Sequence, residues 1–359
     1  MKTYKHLYPL VCDFENIYLA WRKARKGKRG RAQPAQFERV QDDELLRIQE
    51  ELQTFTYKPG AYHSFHIHDP KKRLISAAPF RDRVVHHALC RVIEPIWESR
   101  FIHDTYANRI GKGTHRALDR TQEFARRYTY FLQCDVKQFF PSIDHAILRD
   151  EFARLIRDEG VLWLCDQVLQ SGVGVLADEY EMVYFDGDDP STGSGQGLFA
   201  ANRPRGLPIG NLTSQFWANV YLNGFDHFVK RELKCRAYIR YVDDFLLFSD
   251  DKRELAGWRE AIIDKLAELR LTLHEECAQI FPTVTGIPFL GFRVHPDHRL
   301  LKTRKAIHFR RKLKHLLHGY ANGSIELPKL QQTLQSWIHY VSYGDTWGLR
   351  RSILGGVTL

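Results

Sequence analysis

Three acidic side chains carry the most chemistry in this sequence. Asp243 and Asp244 stand side by side in Tyr241-Val242-Asp243-Asp244, between the apolar runs Ala237-Tyr238-Ile239 and Phe245-Leu246-Leu247-Phe248. Far upstream, the apolar stretch Tyr130-Phe131-Leu132-Gln133-Cys134 runs into Asp135. Carboxylates crowded into apolar surroundings repel one another and are costly to desolvate unless a cation sits among them. If Asp135 meets the Asp243-Asp244 pair, the three offer oxygen ligands to two hard divalent cations about 3.5–4 Å apart, which clamp the attacking and leaving oxygens of an in-line displacement. Alone, an Asp-Asp pair is a turn former, and a strand ending in Asp is commonplace. The order strand-Asp, then a Gly-containing loop and helix, then Tyr-x-Asp-Asp is what narrows the reading.

The elements that must hold these acids follow from periodicity and punctuation. Residues 237–248 read as a β-hairpin, because β-branched and aromatic residues flank a short acidic turn. Residues 130–135 read as a strand. One helix is expected over 1–31, ending in a basic run. A second over about 40–55 carries an apolar stripe of Val40, Leu45, Leu46, Leu52 and Phe55, with Asp42-Asp43 near its start. Strands over 61–80, broken at Asp69-Pro70, precede a helix over 81–98. Thr114 is the expected cap of a helix running to Arg127, and two more helices fit 143–157 and 161–171. Residues 185–206 have the Gly, Asp, Ser, Asn and Pro content of an exposed loop or hairpin. Helices over 211–233 and 251–269, short strands over 278–295 and a helical, basic end from 302 complete the pattern. The fold class is α+β: an antiparallel sheet carries the acids, helices lie behind it, and two smaller subdomains flank it.

Composition points to a polyanionic partner. The 359 residues include 53 basic and 43 acidic side chains, a formal charge of +10. Arg22, Lys23, Arg25, Lys26, Lys28, Arg29 and Arg31 crowd one stretch, and Arg304, Lys305, Arg310, Arg311, Lys312 and Lys314 another. Interspersed apolar residues in both favour docked helices that contact phosphates. The six cysteines form no C-x-x-C pair and read as small core residues of a reducing compartment. His86-His87 and the His63/His66/His68 group lack a convincing partner and are assigned no metal. No apolar run approaches the ~20 residues of a bilayer span and no secretory signal opens the chain, so a cytoplasmic protein without membrane contact is expected.

Seven ordered segments resemble reverse transcriptases of the bacterial retroelement type: Lys71-Lys72-Arg73-Leu74-Ile75, Phe80-Arg81-Asp82-Arg83-Val84-Val85, Asn108-Arg109-Ile110-Gly111-Lys112-Gly113-Thr114, Asp135-Val136-Lys137-Gln138-Phe139-Phe140, Gly206-Leu207-Pro208-Ile209-Gly210-Asn211-Leu212-Thr213-Ser214-Gln215, Tyr241-Val242-Asp243-Asp244 and Phe289-Leu290-Gly291-Phe292. Within that family, Gly210-Asn211-Leu212-Thr213-Ser214-Gln215 and the opening Phe14-Glu15-Asn16 through Lys28 resemble enzymes of diversity-generating retroelements. The resemblance implies a right-hand polymerase fold. A basic helical extension would occupy 1–60, fingers 61–128, a palm 129–300 with a fingers-like segment at about 145–205, and a helical thumb 301–359.

It also implies roles. Asp135 and Asp243 would bridge two Mg²⁺ ions (Mn²⁺ being an acceptable substitute), the Val136 carbonyl would complete the triphosphate-side metal, and Asp244 would act nearer the primer-side metal or as its outer support. Lys71 and Arg73 would meet the triphosphate of a dNTP, and a guanidinium can also lie flat over the incoming base. Phe140, or alternatively Phe139, would exclude a 2′-OH by bulk. Ile209, beside Gly210, stands where many reverse transcriptases have a glutamine that contacts the nucleotide. Its aliphatic side chain implies slackened checking and error-prone copying of template adenines. Arg109 and Lys112, in a glycine-flanked loop, suit template phosphates. Gln215 and the Phe289-Leu290-Gly291 turn would touch template or primer. The implied partners are a template RNA, the nascent cDNA, dNTPs and a small basic accessory protein. Alternatives are a reverse transcriptase of a phage-defence or retron system and, in a different class, a catalytically silent nucleic-acid-binding scaffold.

Overall fold

The computed structural model describes residues 2–68, 72–186, 188 and 203–355. In chain order the elements are α1 (Tyr8–Cys12), α2 (Phe14–Arg25), α3 (Ala32–Arg39), α4 (Gln41–Gln53), β1 (His63–Ile67), β2 (Arg73–Ala77), α5 (Phe80–Glu98) and α6 (Thr114–Arg127). Then come β3 (Tyr130–Lys137), α7 (Phe139–Ser142), α8 (His145–Leu155), α9 (Glu159–Ser171), α10 (Leu212–Tyr221), α11 (Asn223–Arg231), β4 (Tyr238–Tyr241) and β5 (Asp244–Ser249). The remainder is α12 (Lys252–Glu268), β6 (Thr272–Leu273), β7 (Ile280–Pro282), β8 (Ile287–Phe289), β9 (Phe292–Val294), β10 (Arg299–Leu301), α13 (Thr303–Ala321), α14 (Leu327–Val341) and α15 (Trp347–Leu354). The architecture is α+β with antiparallel sheets, as expected.

The chain divides into two compact units. One comprises Met1–His103, Asp135–Lys234 and Glu260–His274. Here α2 buries Ile17, Ala20, Trp21 and Ala24, a stripe at helical spacing, against α5. Asp82 in the first turn of α5 is 2% exposed, and it accepts hydrogen bonds from Tyr57 Oη at 2.8 Å and the Gly60 amide at 2.8 Å. Its role is therefore structural. Asp158 caps α9 through the Val161 amide at 3.1 Å, and its second oxygen receives the amides of Leu7 and Tyr8. β1 and β2 form an antiparallel hairpin in register Ile67↔Arg73 to His63↔Ala77. The last residues of β3 pair with β6, Val136 opposite Leu273 and Lys137 opposite Thr272.

The other unit comprises Asp104–Cys134, Cys235–Arg259 and Glu275–Leu359. β4 and β5 form the expected hairpin, in register Tyr241↔Asp244, with β3 as the other neighbour of β5. β7 pairs with the opening residues of β3, Tyr130 to Leu132. A core of Phe124, Phe131, Ile239, Leu246, Phe248, Phe289 and Phe292 joins α6, these strands and the three-stranded β8–β9–β10 sheet. Helices α13 to α15 enclose a further cluster of Phe309, Leu313, Leu316, Leu330, Leu334 and Ile353.

Several expectations need correction. The helix expected over 1–31 is broken at Asp13, whose extended backbone and side chain start α2 by accepting from the Asn16 amide; α3 was unforeseen. The buried stripe of α4 is Leu45, Ile48 and Leu52, whereas Val40, Leu46 and Phe55 are exposed. The helix expected over 211–233 is two helices separated at Leu222. Gly113, with φ at +101°, takes the capping position assigned to Thr114, which is the first residue of α6. Five cysteines are buried and Cys277 is exposed. Lys71 and most of the 185–206 loop lie outside the described residues. No helix among the described residues is long and apolar enough to cross a membrane.

Candidate active site

A two-residue turn, Val242-Asp243, joins β4 to β5, and Asp244 opens β5. Val242 has φ at +62°, the left-handed region that a β-branched residue adopts only under constraint. Part of that constraint is Arg240. Its side chain is fully buried and donates to the Val242 carbonyl at 2.9 Å. Tyr241 Oη lies 3.1 Å from Thr114 Oγ1, which ties the start of α6 to the hairpin. Segment 104–106 adds to the edge of β4, with reciprocal backbone bonds between Arg240 and Asp104 and between Tyr106 and Arg240.

Asp135 lies near the end of β3. Exposure alternates along the strand, so Gln133, Asp135 and Lys137 share the less buried face while Cys134 and Val136 are buried. Gln133 Nε2 donates to Asp244 Oδ1 at 3.2 Å and to the Pro288 carbonyl at 3.1 Å. Asp135 lies two residues further along that face, and its carbonyl accepts from the His274 amide at 2.9 Å. Asp135, Asp243 and Asp244 are all half-buried. The carboxylates and the Val136 carbonyl are all-oxygen donors, the chemistry a hard divalent cation requires. Among the described residues, no three His, Cys, Asp or Glu side chains stand gathered into a group that could hold a metal ion.

A second set of expected residues collects in the first unit. Phe139 is 2% exposed, a core residue, whereas Phe140 is half-buried with its ring 5.4 Å from that of Phe139. The Phe140 carbonyl accepts from the Leu207 amide at 2.9 Å, which anchors the strap leading to Ile209 and Gly210. The Ile209 carbonyl in turn accepts from the Ser76 amide of β2 at 2.8 Å. Asn211 completes the attachment: its side chain accepts from the Ala78 amide at 3.0 Å and donates to the Ser76 and Pro208 carbonyls, each at 2.9 Å. Gly210 has φ at +120°, and a Cβ there would meet Ile75 Cγ2 at 3.0 Å, so glycine permits the close approach. Arg73 is exposed at the start of that same β2.

The remaining residues occupy two further places. Gln215 is exposed on a cleft of about 240 Å³ that Lys28, Arg83, His86 and His87 also line. Burial, then Arg83 and Arg31, pull the Lys28 ammonium below its ordinary range, and burial, then Arg31, does the same for Arg83. These cations crowd one another, an environment that favours anions. In the other unit, Arg109 donates to the carbonyl and Oγ1 of Thr105, and Lys112 Nζ stands 5.0 Å from the centre of the Tyr106 ring. The Phe289-Leu290-Gly291 turn has left-handed Leu290 and Gly291, and Tyr340 Oη donates to the Leu290 carbonyl at 3.2 Å.

Sequence reasoning overlooked Gln133, Asn211 and Arg240. A signal existed for each: a lone amide or guanidinium within an apolar run must find a partner when buried.

The family described as reverse transcriptase (RNA-dependent DNA polymerase) matches residues 63–294, well over half of the chain. The protein belongs to that family, and its enzyme class is RNA-directed DNA polymerase. It is 26% identical over 301 residues to Protein YkfC of Escherichia coli (strain K12), across 73% of this chain and 72% of that one. It is 24% identical over 191 residues to the group II intron-encoded protein LtrA of Lactococcus lactis subsp. cremoris, across 52% of this chain but 28% of LtrA. An apo telomerase structure from Candida tropicalis aligns at TM-score 0.46 and 11% identity, over 67% of this chain and 48% of that one.

Proposed function

We propose that the protein copies an RNA template into cDNA, by attack of a primer 3′-OH on the α-phosphorus of a dNTP with release of pyrophosphate. The observation that carries this reading is the Gln133 to Asp244 hydrogen bond of 3.2 Å, with Asp135 two residues along the same face of β3. Asp135, Asp243, Asp244 and the Val136 carbonyl would hold two Mg²⁺ ions, or Mn²⁺ in their place. When bound, such ions lower the pKa of the 3′-OH and neutralise the leaving oxygens. Arg73, together with Lys71, binds the triphosphate. Phe140, the less buried of the two phenylalanines, packs under the sugar and excludes a 2′-OH. Arg109, Lys112 and Gln215 meet template phosphates, and the Phe289-Leu290-Gly291 turn supports the primer. In this reading fingers, palm and thumb fall at 61–128, 129–300 and 301–359, after a basic extension.

The finer reading is a diversity-generating enzyme that misincorporates opposite template adenine, working in the cytoplasm with a small basic accessory protein. Supporting it are Ile209, whose aliphatic side chain offers no hydrogen bond to a nucleotide, and the Gly210-to-Gln215 segment.

The test is primer extension on an RNA template with Mg²⁺ and each dNTP in turn. Asp135→Ala and Asp243→Ala should each reduce extension to background while melting as the parent does. Sustained cDNA synthesis by either variant refutes the proposal.

A further inference from the structure

We infer that Gln133 is a positioning residue, whose side-chain amide tethers the Asp244 carboxylate to the backbone of β8 and so fixes the carboxylate's orientation for catalysis. The inference rests on the proposed polymerase reading and extends it to a residue outside the acidic set.

An amide nitrogen carries two hydrogens, and both are spent here. Nε2 lies 3.2 Å from Asp244 Oδ1 and 3.1 Å from the Pro288 carbonyl. Both partners accept, so the orientation of the amide is unambiguous: its oxygen in that place would face two other oxygens. The bond to the carboxylate is charge-assisted, which makes it the stronger of the two. Glutamate has the same shape but no hydrogens to give, and methionine has the same length but no donor. Among side chains of this size, the amide is what this position requires.

The far end of the tether is itself held. Pro288 precedes the Phe289-Leu290-Gly291 turn, whose Leu290 carbonyl accepts from Tyr340 Oη at 3.2 Å. Lys305 Nζ donates to Tyr340 Oη at 3.1 Å, and the Lys302 amide donates to the Gly291 carbonyl at 3.1 Å. Gly291 has no Cβ, and one built there would collide with Tyr340 Oη. A continuous set of short polar contacts therefore runs from α13 and α14, through the turn and β8, to the carboxylate that opens β5. Gln133 is the link by which the turn proposed to support the primer and the acid proposed to act on it keep one registration.

The experiment compares the full chain with Gln133→Met and Gln133→Glu. Each variant is checked by thermal melting, by single-nucleotide extension kinetics and by calorimetric titration with Mn²⁺ in the absence of nucleic acid. Loss of a partner that orients a metal-binding carboxylate costs on the order of ten- to a hundredfold in metal affinity or turnover. The expected result is a fall of that order in kcat with KM for dNTP unchanged, and weaker Mn²⁺ binding, in both variants. Parental kcat in either folded variant, or lowered kcat with parental Mn²⁺ affinity, overturns the inference. Asp243→Ala in the same assay separates the two levels. If the parent extends the primer and Asp243→Ala does not, while Gln133→Met matches the parent, only the tether fails. If Asp243→Ala also extends, the polymerase reading fails with it.

Discussion

Ile209→Gln tests the proposed link between a slack nucleotide pocket and errors opposite adenine. The strap that carries Ile209 is held by backbone and by Asn211: the Ile209 carbonyl bonds the Ser76 amide, the Asn211 side chain makes three bonds, and Ser214 Oγ donates to the Pro208 carbonyl at 2.7 Å. None of these uses the Ile209 side chain, so the substitution leaves the strap in place. Ile209 is half-buried, so replacing it forfeits only part of an aliphatic burial, about 1 kcal/mol. A glutamine amide that gains one hydrogen bond to a correctly paired nucleotide contributes about 0.5–1.5 kcal/mol net, which is a factor of roughly 2–13 in discrimination. Single-nucleotide extension opposite template A, with dTTP against each other dNTP, reads that ratio directly. The ratio should rise by this factor opposite A, and Ile209→Leu should leave it where it was. An unchanged ratio in a variant with parental kcat/KM for correct insertion would refute the reasoning.

Other consequences are equally direct. Gly291→Ala forces a side chain into a φ of +92° and against Tyr340 Oη and Lys305 Nζ; strain of about 1–2 kcal/mol and one lost hydrogen bond should cost about 2–3 kcal/mol, measured by urea unfolding. His86 is pushed down to about 3 by burial, then by His87 and Arg83, and His87 to about 4 by burial, then by Lys28, Lys23 and Arg91. Below pH 6.5 the unfolded chain therefore takes up protons that the folded chain refuses, so stability should fall as pH drops toward 4 by up to about 1.4 kcal/mol per unit per histidine; a urea midpoint that holds steady across that range contradicts this. Val242→Gly relieves left-handed strain of about 1–2 kcal/mol at an entropic cost of about 0.5–1 kcal/mol, so stability should hold or rise while extension slows as the turn loosens. A marked loss of stability would show that the turn stores no strain.

How much of this was legible beforehand depended on whether local chemistry or packing decided the matter. The β4–β5 hairpin, β3, α5, α8, α9 and α12 follow from apolar period and turn residues, and they occur close to where those signals put them. The break between α1 and α2 had a local signal too, because Asp13 precedes Asn16 at capping distance. The break at Leu222 had a local signal as well, the Asn223-Gly224 pair that follows it, but the apolar residues on either side read as one continuous helix and α10 is buried on almost every side. The stripe of α4 was misread because Leu46 directly follows Leu45. Adjacent residues point about 100° apart on a helix, so both cannot face one core, and Ile48 and Leu52 settle which one does.

The candidate site divides along the same line. Acids beside apolar runs announce themselves, since burying them uncompensated is so costly that their presence demands a reason. The groups that aim those acids are quieter. Gln133 looks like one polar interruption of a strand, and Asn211, just before a helix, looks like an ordinary cap. In fact Asn211 makes no capping bond and spends its amide on β2 and the strap. Phe139 and Phe140 could not be separated from sequence, because which of two adjacent rings is buried depends on the short α7 turn that follows left-handed Gln138. Each of these quiet residues fixes an orientation and supplies no reacting atom. Orientation is set by partners remote in the chain (Pro288 for Gln133, Ser76 and Ala78 for Asn211), and a sequence read locally contains no trace of such pairings until the fold brings the partners within reach.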